Sequence, residues 1–309
     1  MARLILGSRG SALALAQVRI VREALLRAHP ALEIDVKIIT TTGDKRQEVH
    51  AGEGNAAGLK GLFTKEIQDA LLDGSIDVAV HSLKDLPGIT PDALGLAAVL
   101  PRADTSDVLI SVAHPSLASL PDGAKVGTGS VRRRRQLLEL RPGLEVGEIR
   151  GNVPTRLQKV LALDAIVLAR AGLDRLGYRI SQGMLACDAG TFHASPLEIL
   201  PAIGQGAIGL ETRRDDAAAR TLLAAIDHAP THTCIRVERE LLRMLDGDCK
   251  LPVAALATLD DAGRIFAEAI VFPDSDSEPP AKANGSGTDP EALALGLFHQ
   301  LNITPSSHS

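Results

Sequence analysis

The chain has 309 residues, 45% of them apolar, with 38 acidic and 33 basic side chains and a formal charge of −5. Mild acidity, five Phe, one Tyr and no Trp exclude a general nucleic-acid binder, which needs a basic face and aromatic stacking platforms. An odd set of three cysteines (Cys187, Cys234, Cys249), none in CxxC spacing, disfavours a disulfide framework and a zinc site and implies a reducing, cytoplasmic setting.

The opening MARLILGSRG lacks the apolar stretch and cleavage site of a signal peptide, and no apolar run approaches the ~20 residues that span a membrane. Strands are predicted over 3–9, 33–44, 76–87 and 94–102, with helices over 11–30, capped by Ser11, and 60–75. This alternation predicts an α/β unit with a mainly parallel sheet. A second unit starts near Asp104, with strands over 107–112, 124–130, 144–152 and 164–173 and helices over 131–140 and 154–163. A strand over 206–213 is expected to rejoin the first unit, so that two chain crossings frame a cleft. The last part reads as α+β: a helix over 231–247, a hairpin over 252–273 turning at Asp-Asp-Ala-Gly, a mobile loop over 274–287 and a helix over 289–301. No internal repeat is visible.

VGTGSVRRRRQL, at 126–137, places four arginines behind a glycine turn and the cap Ser130. Arg132 and Arg133 fall in the first helical turn, where cations oppose the helix dipole. A bound anion would account for them, as would a merely solvated face; Arg134 and Arg135 are expected on such a face. Comparable strand-to-helix junctions carry Arg9 with Ser11, Arg150 with Asn152 and Arg156, and Arg175. In an α/β sheet these junctions lie at the carboxyl edge, where ligands bind, and four of them imply a ligand rich in negative charge. Guanidinium suits carboxylate or phosphate; the lack of GxxxxGK[ST] and GxGxxG loops makes phosphate the lesser reading. Asp85, after Lys84, can hold a cationic amine, pass protons, stabilise a developing carbocation or simply cap a turn. Cys249 beside Lys250 reads either as a reactive thiol or as a small buried hydrophobe; Cys187 and Cys234 read as the latter. The nine histidines are read without a metal site.

These residues resemble the porphobilinogen deaminase (hydroxymethylbilane synthase) family. The blocks that carry the likeness are R-x-S-x-L-A-L at 9–15, TTGD at 41–44, KGLF-x-KE at 60–66 and D-x-AVHS-x-KD-x-P at 77–87. They continue with VGT-x-S-x-RR at 126–133, RGNV-x-TR at 150–156, A-x-AGL-x-RLG at 169–177, LPA-x-GQGA-x-G at 200–209, and Cys249. The resemblance implies two periplasmic-binding-protein-like (type II) α/β domains, 1–100 with 204–224 and 104–200, flanking a cleft, plus a small α+β domain over 228–309. It implies stepwise head-to-tail condensation of four porphobilinogen molecules, with release of ammonia, to the linear tetrapyrrole hydroxymethylbilane. A dipyrromethane cofactor, joined by a thioether to Cys249, primes the chain.

Each pyrrole unit of that family carries an acetate and a propionate, so a cleft holding several rings needs several cations. The resemblance assigns cofactor binding to Ser82, Lys84, Asp85, Thr128, Gly129, Ser130, Arg132, Arg133, Arg150, Gly151 and Gln205. It assigns substrate binding to Arg9, Ser11, Lys60, Phe63, Arg150, Asn152, Arg156 and Arg175, catalysis to Asp85, and a flap to 44–61. Asp248, Gly129, Arg170 and Pro154 depart from the family pattern. A monomer is implied, with no nucleic-acid or membrane partner. The rival reading is a non-catalytic two-domain binding protein for a polycarboxylate.

Overall fold

The computed structural model describes residues 3–41, 64–246, 252–273, 275 and 278–302. Lys60, Phe63, the 44–61 segment, Asp248 and Cys249 lie outside the described residues. The strands, in chain order, begin with β1 (Arg3–Ser8), β2 (Glu33–Ile38), β3 (Val78–Ser82) and β4 (Leu94–Val99). There follow β5 (Asp107–Ser111), β6 (Lys125–Gly127), β7 (Glu145–Gly147), β8 (Ala165–Ala169), β9 (Ile180–Ser181), β10 (Met184–Cys187) and β11 (Gly190–Leu197). The chain then makes β12 (Ile208–Arg213), β13 (Val253–Leu259), β14 (Ile265–Val271) and β15 (Ala281–Gly287). The described helices are α1 (Ala12–Ala28), α2 (Lys65–Leu72), α3 (Val131–Leu140), α4 (Val153–Lys159), α5 (Arg170–Arg175), α6 (Ala217–Ala224), α7 (Ala229–Asp246) and α8 (Pro290–Leu301).

Two sheets share one plan. The first runs β2-β1-β3-β12-β4, and the second runs β7-β6-β8-β5-β11 before adding β10 and β9 at its edge. In each, three parallel strands meet an antiparallel fourth, β12 or β5, which in turn pairs antiparallel with the fifth. The fourth strand is contributed across a crossover: β5 follows β4, and β12 follows β11. The recurrence lies in topology and leaves no repeat in the sequence.

Alternation fixes which residues face which helices, because successive strand residues point to opposite sides. In the second sheet Val108, Ile110, Ile166 and Leu168 pack with Leu157 and Leu173 of α4 and α5. Leu109, Ala165 and Val167 pack on the other side with Leu137 of α3. In the first sheet Leu4, Leu6, Val78, Val80 and Leu210 bury Val18, Val21 and Leu25 of α1 and Leu223 of α6. Ala79 and Leu94 cover Ile67 and Leu71 of α2 on the opposite face. The third sheet, β13-β14-β15, packs Ala255, Ala257, Ala267 and Ala269 against Leu241 of α7 and Leu297 of α8.

Several sequence expectations need correction. The 274–287 stretch is not all loop: Ala281–Gly287 pairs along the whole of β14, and Ala283 enters the core. Its Gly and Ser content reads as a turn, but tertiary pairing overrides the weak strand propensity. The 164–173 strand stops at Ala169, where α5 begins. The β9–β11 strands and α6 carry too few periodic residues to have been read.

Candidate active site

The turn after β3 presents two charges to the cleft. Leu83–Asp85 is one 3-10 turn, in which Leu83 and the following Leu86 are buried with Val99, Ala207 and Ile235. With both leucines anchored inward, Lys84 and Asp85 between them stay exposed. Gly204 allows this packing: a Cβ there would stand 2.9 Å from Leu83 Cβ and 3.1 Å from Lys84 N. The GQGA block thus shapes the seat of Asp85 from the far side of a crossover.

Asp85 shares a pocket of about 60 Å³ with Arg9, Ser11, Gln17 and Ser82. Ser11 caps α1 by accepting from Ala14 N at 3.3 Å, and Gln17 Nε2 donates to Ser82 Oγ at 2.7 Å. Beneath them, His81 Nε2 lies 3.0 Å from Glu211 Oε2, which also accepts from Gln68; all three side chains are buried. The Oγ of Ser8, fully buried at the end of β1, has no hydrogen-bond partner.

The second sheet supplies the cations. Ser130 caps α3 by accepting from Arg133 N at 3.4 Å, and Thr128 Oγ1 accepts from Ser130 N at 3.2 Å. This aims Arg132 and Arg133, each 5% exposed, at one residue that the sequence reading missed. Asp107, fully buried, accepts from Arg132 Nη2 at 2.7 Å, from Arg133 Nε and Nη2 at 3.0 and 2.7 Å, and from Gln205 Nε2 at 2.9 Å. Burial alone would push its carboxyl up, but Arg133 and Arg132 together outweigh burial and hold it far below the usual range. An acid opening the otherwise apolar strand DVLIS was the available signal, since a buried charge must be paired.

Arg132 Nη1 also donates to Leu200 O and Arg133 Nη1 to Val167 O, yet Arg132 Nε and Gln205 Oε1 are buried without partners. Burial lowers the Arg132 pKa, and Asp107 opposes the shift. Enclosure by protein also lowers the Lys84 ammonium pKa, with Asp85 opposing and Arg133 reinforcing. Lys84 keeps contact with solvent, which moderates this effect. Arg156 lies within electrostatic reach of Arg133, Asp85 and Glu148; burial lowers its pKa first and Arg133 next. Its Nε donates to Gly151 O at 2.7 Å. Lys84, Asp85, Arg132, Arg133 and Arg156 are therefore brought together.

Other expected residues take separate places. Arg150 pairs with Glu148 at 2.9 Å, and Asn152 caps α4 by accepting from Thr155 N at 3.0 Å, with Pro154 in its first turn. Arg175 donates to Gly206 O at 2.6 Å and lines a groove outside the Asp85 pocket. Arg170 pairs with Asp174. Arg135 is not on a solvated face: it is buried, donates to Pro273 O and Ser275 O, and stands 5.4 Å over the Phe272 ring. Cation–π contact and carbonyl acceptors replace water there. HAPTH at 228–232 carries a His-x-x-x-His spacing, but His228 bonds Thr231 and His232 bonds Asp227.

Gly129, one of the positions expected to depart from the family pattern, is closely packed. A Cβ at this position would stand 2.9 Å from the Ile149 carbonyl oxygen. Gly129→Ala is expected to destabilise the protein by about 1–3 kcal/mol, read from its denaturant midpoint, because backbone rather than a flexible side chain must yield.

Comparison with known proteins follows the same lines. Residues 4–221 match the family described as porphobilinogen deaminase, dipyromethane cofactor binding domain, and residues 232–301 match porphobilinogen deaminase, C-terminal domain. A porphobilinogen deaminase of Moorella thermoacetica is 45% identical over 303 residues, covering 97% of this chain and 93% of that protein. One from Acidithiobacillus ferrooxidans is 44% identical over 302 residues, covering 96% and 93%. Among solved structures, the methionine binding protein MetQ is 12% identical with a TM-score of 0.45, covering 72% of this chain and 89% of that one.

Proposed function

The chain belongs to the porphobilinogen deaminase family, and we propose that its reaction centre is the cleft face joining Asp85 and Lys84 to Arg132, Arg133 and Arg156. Its activity is the condensation of four porphobilinogen molecules, with loss of ammonia, to a linear tetrapyrrole, a transferase step of porphyrin biosynthesis. Dipyrromethane is its cofactor. The rival reading as a non-catalytic binding protein is not favoured.

The side chains present fit that cofactor. Lys84, Arg132, Arg133 and Arg156 give four cations against the carboxylates of Asp85 and Asp107, so the site keeps a net positive charge toward a group bearing carboxylates. The buried, partnerless Arg132 Nε and Gln205 Oε1 offer one donor and one acceptor more. This surplus is the single observation that carries the reading, since two enclosed guanidiniums sharing the one carboxylate of Asp107 leave positive charge that an anion would offset. Arg132, Arg133, Gln205, Lys84, Thr128 and Ser130 would hold the group, Cys249 would anchor it, and when bound it supplies the pyrrole carbon that the first unit joins.

Asp85 does the chemistry. As ammonia leaves porphobilinogen, the carbon–nitrogen bond breaks and positive charge spreads over the methylene carbon and ring nitrogen. The Asp85 carboxylate accepts from the pyrrole N–H and stabilises that charge where it develops. The proton lost from the coupled ring carbon has the same carboxylate within the cleft as its acceptor. Arg9 and Arg156 pair with the carboxylates of the incoming unit. The first sheet with α1, α2 and α6, the second with α3–α5, and the third with α7 and α8 make three domains; the protein acts as a monomer in the cytoplasm.

The test is intact mass. Protein purified from a host that makes porphobilinogen is expected to exceed its chain mass by two pyrrole units, and Cys249→Ala to lack the excess. An unmodified wild-type mass would overturn the reading.

A further inference from the structure

α7 leads into the cofactor anchor: it ends at Asp246, three positions before Cys249 in the sequence. The same helix also touches the turn that presents Asp85. Ile235, fully buried, packs with Leu83 and Leu86, the leucines on either side of Lys84 and Asp85. One helical turn further on, Arg239 Nη2 donates to Pro87 O at 2.9 Å and Nη1 to Leu86 O at 3.4 Å. Arg236 and Arg243 serve their own domain, pairing with Glu291 of α8 and Glu240 of α7. Arg239, between them in sequence, reaches into the first domain and is half-buried there.

These contacts have different consequences for Asp85. The leucines set how deep the turn sits, because both side chains are enclosed. The carbonyls that follow Asp85 set its rotation about that anchor, and so the direction in which the carboxylate leaves the turn. Pro87 brings no N–H of its own, so at that residue the main chain is an acceptor only. A guanidinium spans two successive carbonyls with parallel N–H groups, whereas an ammonium is a single point. From Arg239 to Asp246 is roughly 10 Å of helix, so one rigid rod serves both the turn and the cofactor anchor.

We propose that Arg239 is a positioning residue for the condensation: it holds the Leu86–Pro87 main chain so that the Asp85 carboxylate stays in register with the ring tethered beyond the end of α7. The proposal rests on the deaminase reading of the cleft, and its effect on rate passes through Asp85. A misplacement of about 1 Å at a reacting group costs up to about a hundredfold in rate, while the arginines that bind carboxylate are left in place.

The test is a set of rates on cofactor-loaded protein, with loading checked by intact mass. Arg239→Met keeps the stem and removes the donors; its kcat is expected to fall about thirtyfold, with KM for porphobilinogen within about twofold. Arg239→Lys, which offers one donor group, is expected to recover part of the loss, to about fivefold below the wild type. In the Asp85→Ala background, Arg239→Met is expected to change the single-turnover rate by less than about twofold, because the group it positions is gone. A merely structural role would lower the rate alike in both backgrounds. Wild-type kcat in Arg239→Met, a rise in KM alone, absence of the cofactor mass, or an equal loss with and without Asp85 would overturn the assignment. If Arg239→Met does not fold, Arg239→Lys decides: wild-type kcat there overturns the assignment, and a fall at constant KM supports it. A wild-type protein that neither carries pyrrole nor consumes porphobilinogen would overturn the deaminase reading, and the assignment with it.

Discussion

Replacing Asp85 with alanine is expected to lower turnover by about three orders of magnitude or more, while leaving the denaturant midpoint within the effect of about 0.5 kcal/mol typical of surface changes. The two outcomes separate because the turn is held by other residues. Leu83 and Leu86 are buried, and Leu83 N donates to Ala207 O at 3.1 Å. Asp85 itself is exposed and contributes charge to the cleft rather than packing. Asp85→Asn keeps the shape and removes the charge, so it should match the alanine variant in rate if the carboxylate is what matters. Without Asp85, Lys84 loses the neighbour that favours its charged form, and its pKa should fall further. Turnover near that of the wild type in either variant would remove the assigned role.

Asp107→Ala is the substitution expected to damage the protein most. It leaves Arg132 and Arg133, each 5% exposed, with no counter-charge, at a cost of about 3–5 kcal/mol. Asp107→Asn retains the volume but not the charge and is expected to lose much of the same stability. Both should also arrive with little cofactor, visible as a deficit in intact mass. The pH dependence has a definite sign. The Asp107 carboxyl is held far below its unfolded value, so its contribution is complete above the unfolded carboxylate pKa of about 4. It is lost as the pH falls through and below that point. Urea midpoints measured from pH 7 to pH 3 should therefore drop at the acid end in the wild type, and drop less in Asp107→Asn. Parallel pH profiles for the two proteins would show that the pair does not couple to folding.

The elements that place the site could be read wherever periodicity and capping agree. VRRRRQLLEL forms a helix behind Ser130, and Val153–Lys159 starts at Asn152 with Pro154 in its first turn. The late strand Ile208–Arg213 returns to the first sheet as its alternating apolar pattern implies. What escaped the sequence is the destination of charge. Arg132 and Arg135, three residues apart on α3, form an inward stripe, although Arg135 is expected from the sequence on a solvated face. Their partners Asp107, Leu200, Pro273 and Ser275 are between 25 and 140 residues away, so only the folded sheets reveal them. A guanidinium can be buried when carbonyls, a carboxylate and an aromatic face receive it, and no local pattern records those acceptors. The pairing of Ala281–Gly287 was hidden likewise, because the reason for that strand is the open side of β14.

The exchange of strands between the two sheets dictates an order of events as the polypeptide emerges during synthesis. Among the described residues β4 pairs only with β12, and β12 begins at Ile208, more than one hundred positions after β4 ends at Val99. The whole second sheet is therefore translated while β3 and β4 wait with unsatisfied edges. Such edges are templates for association with other chains. The nascent protein should need shielding over that interval, and a fragment ending before Ile208 should aggregate even though it encodes Asp85, Arg132 and Arg156.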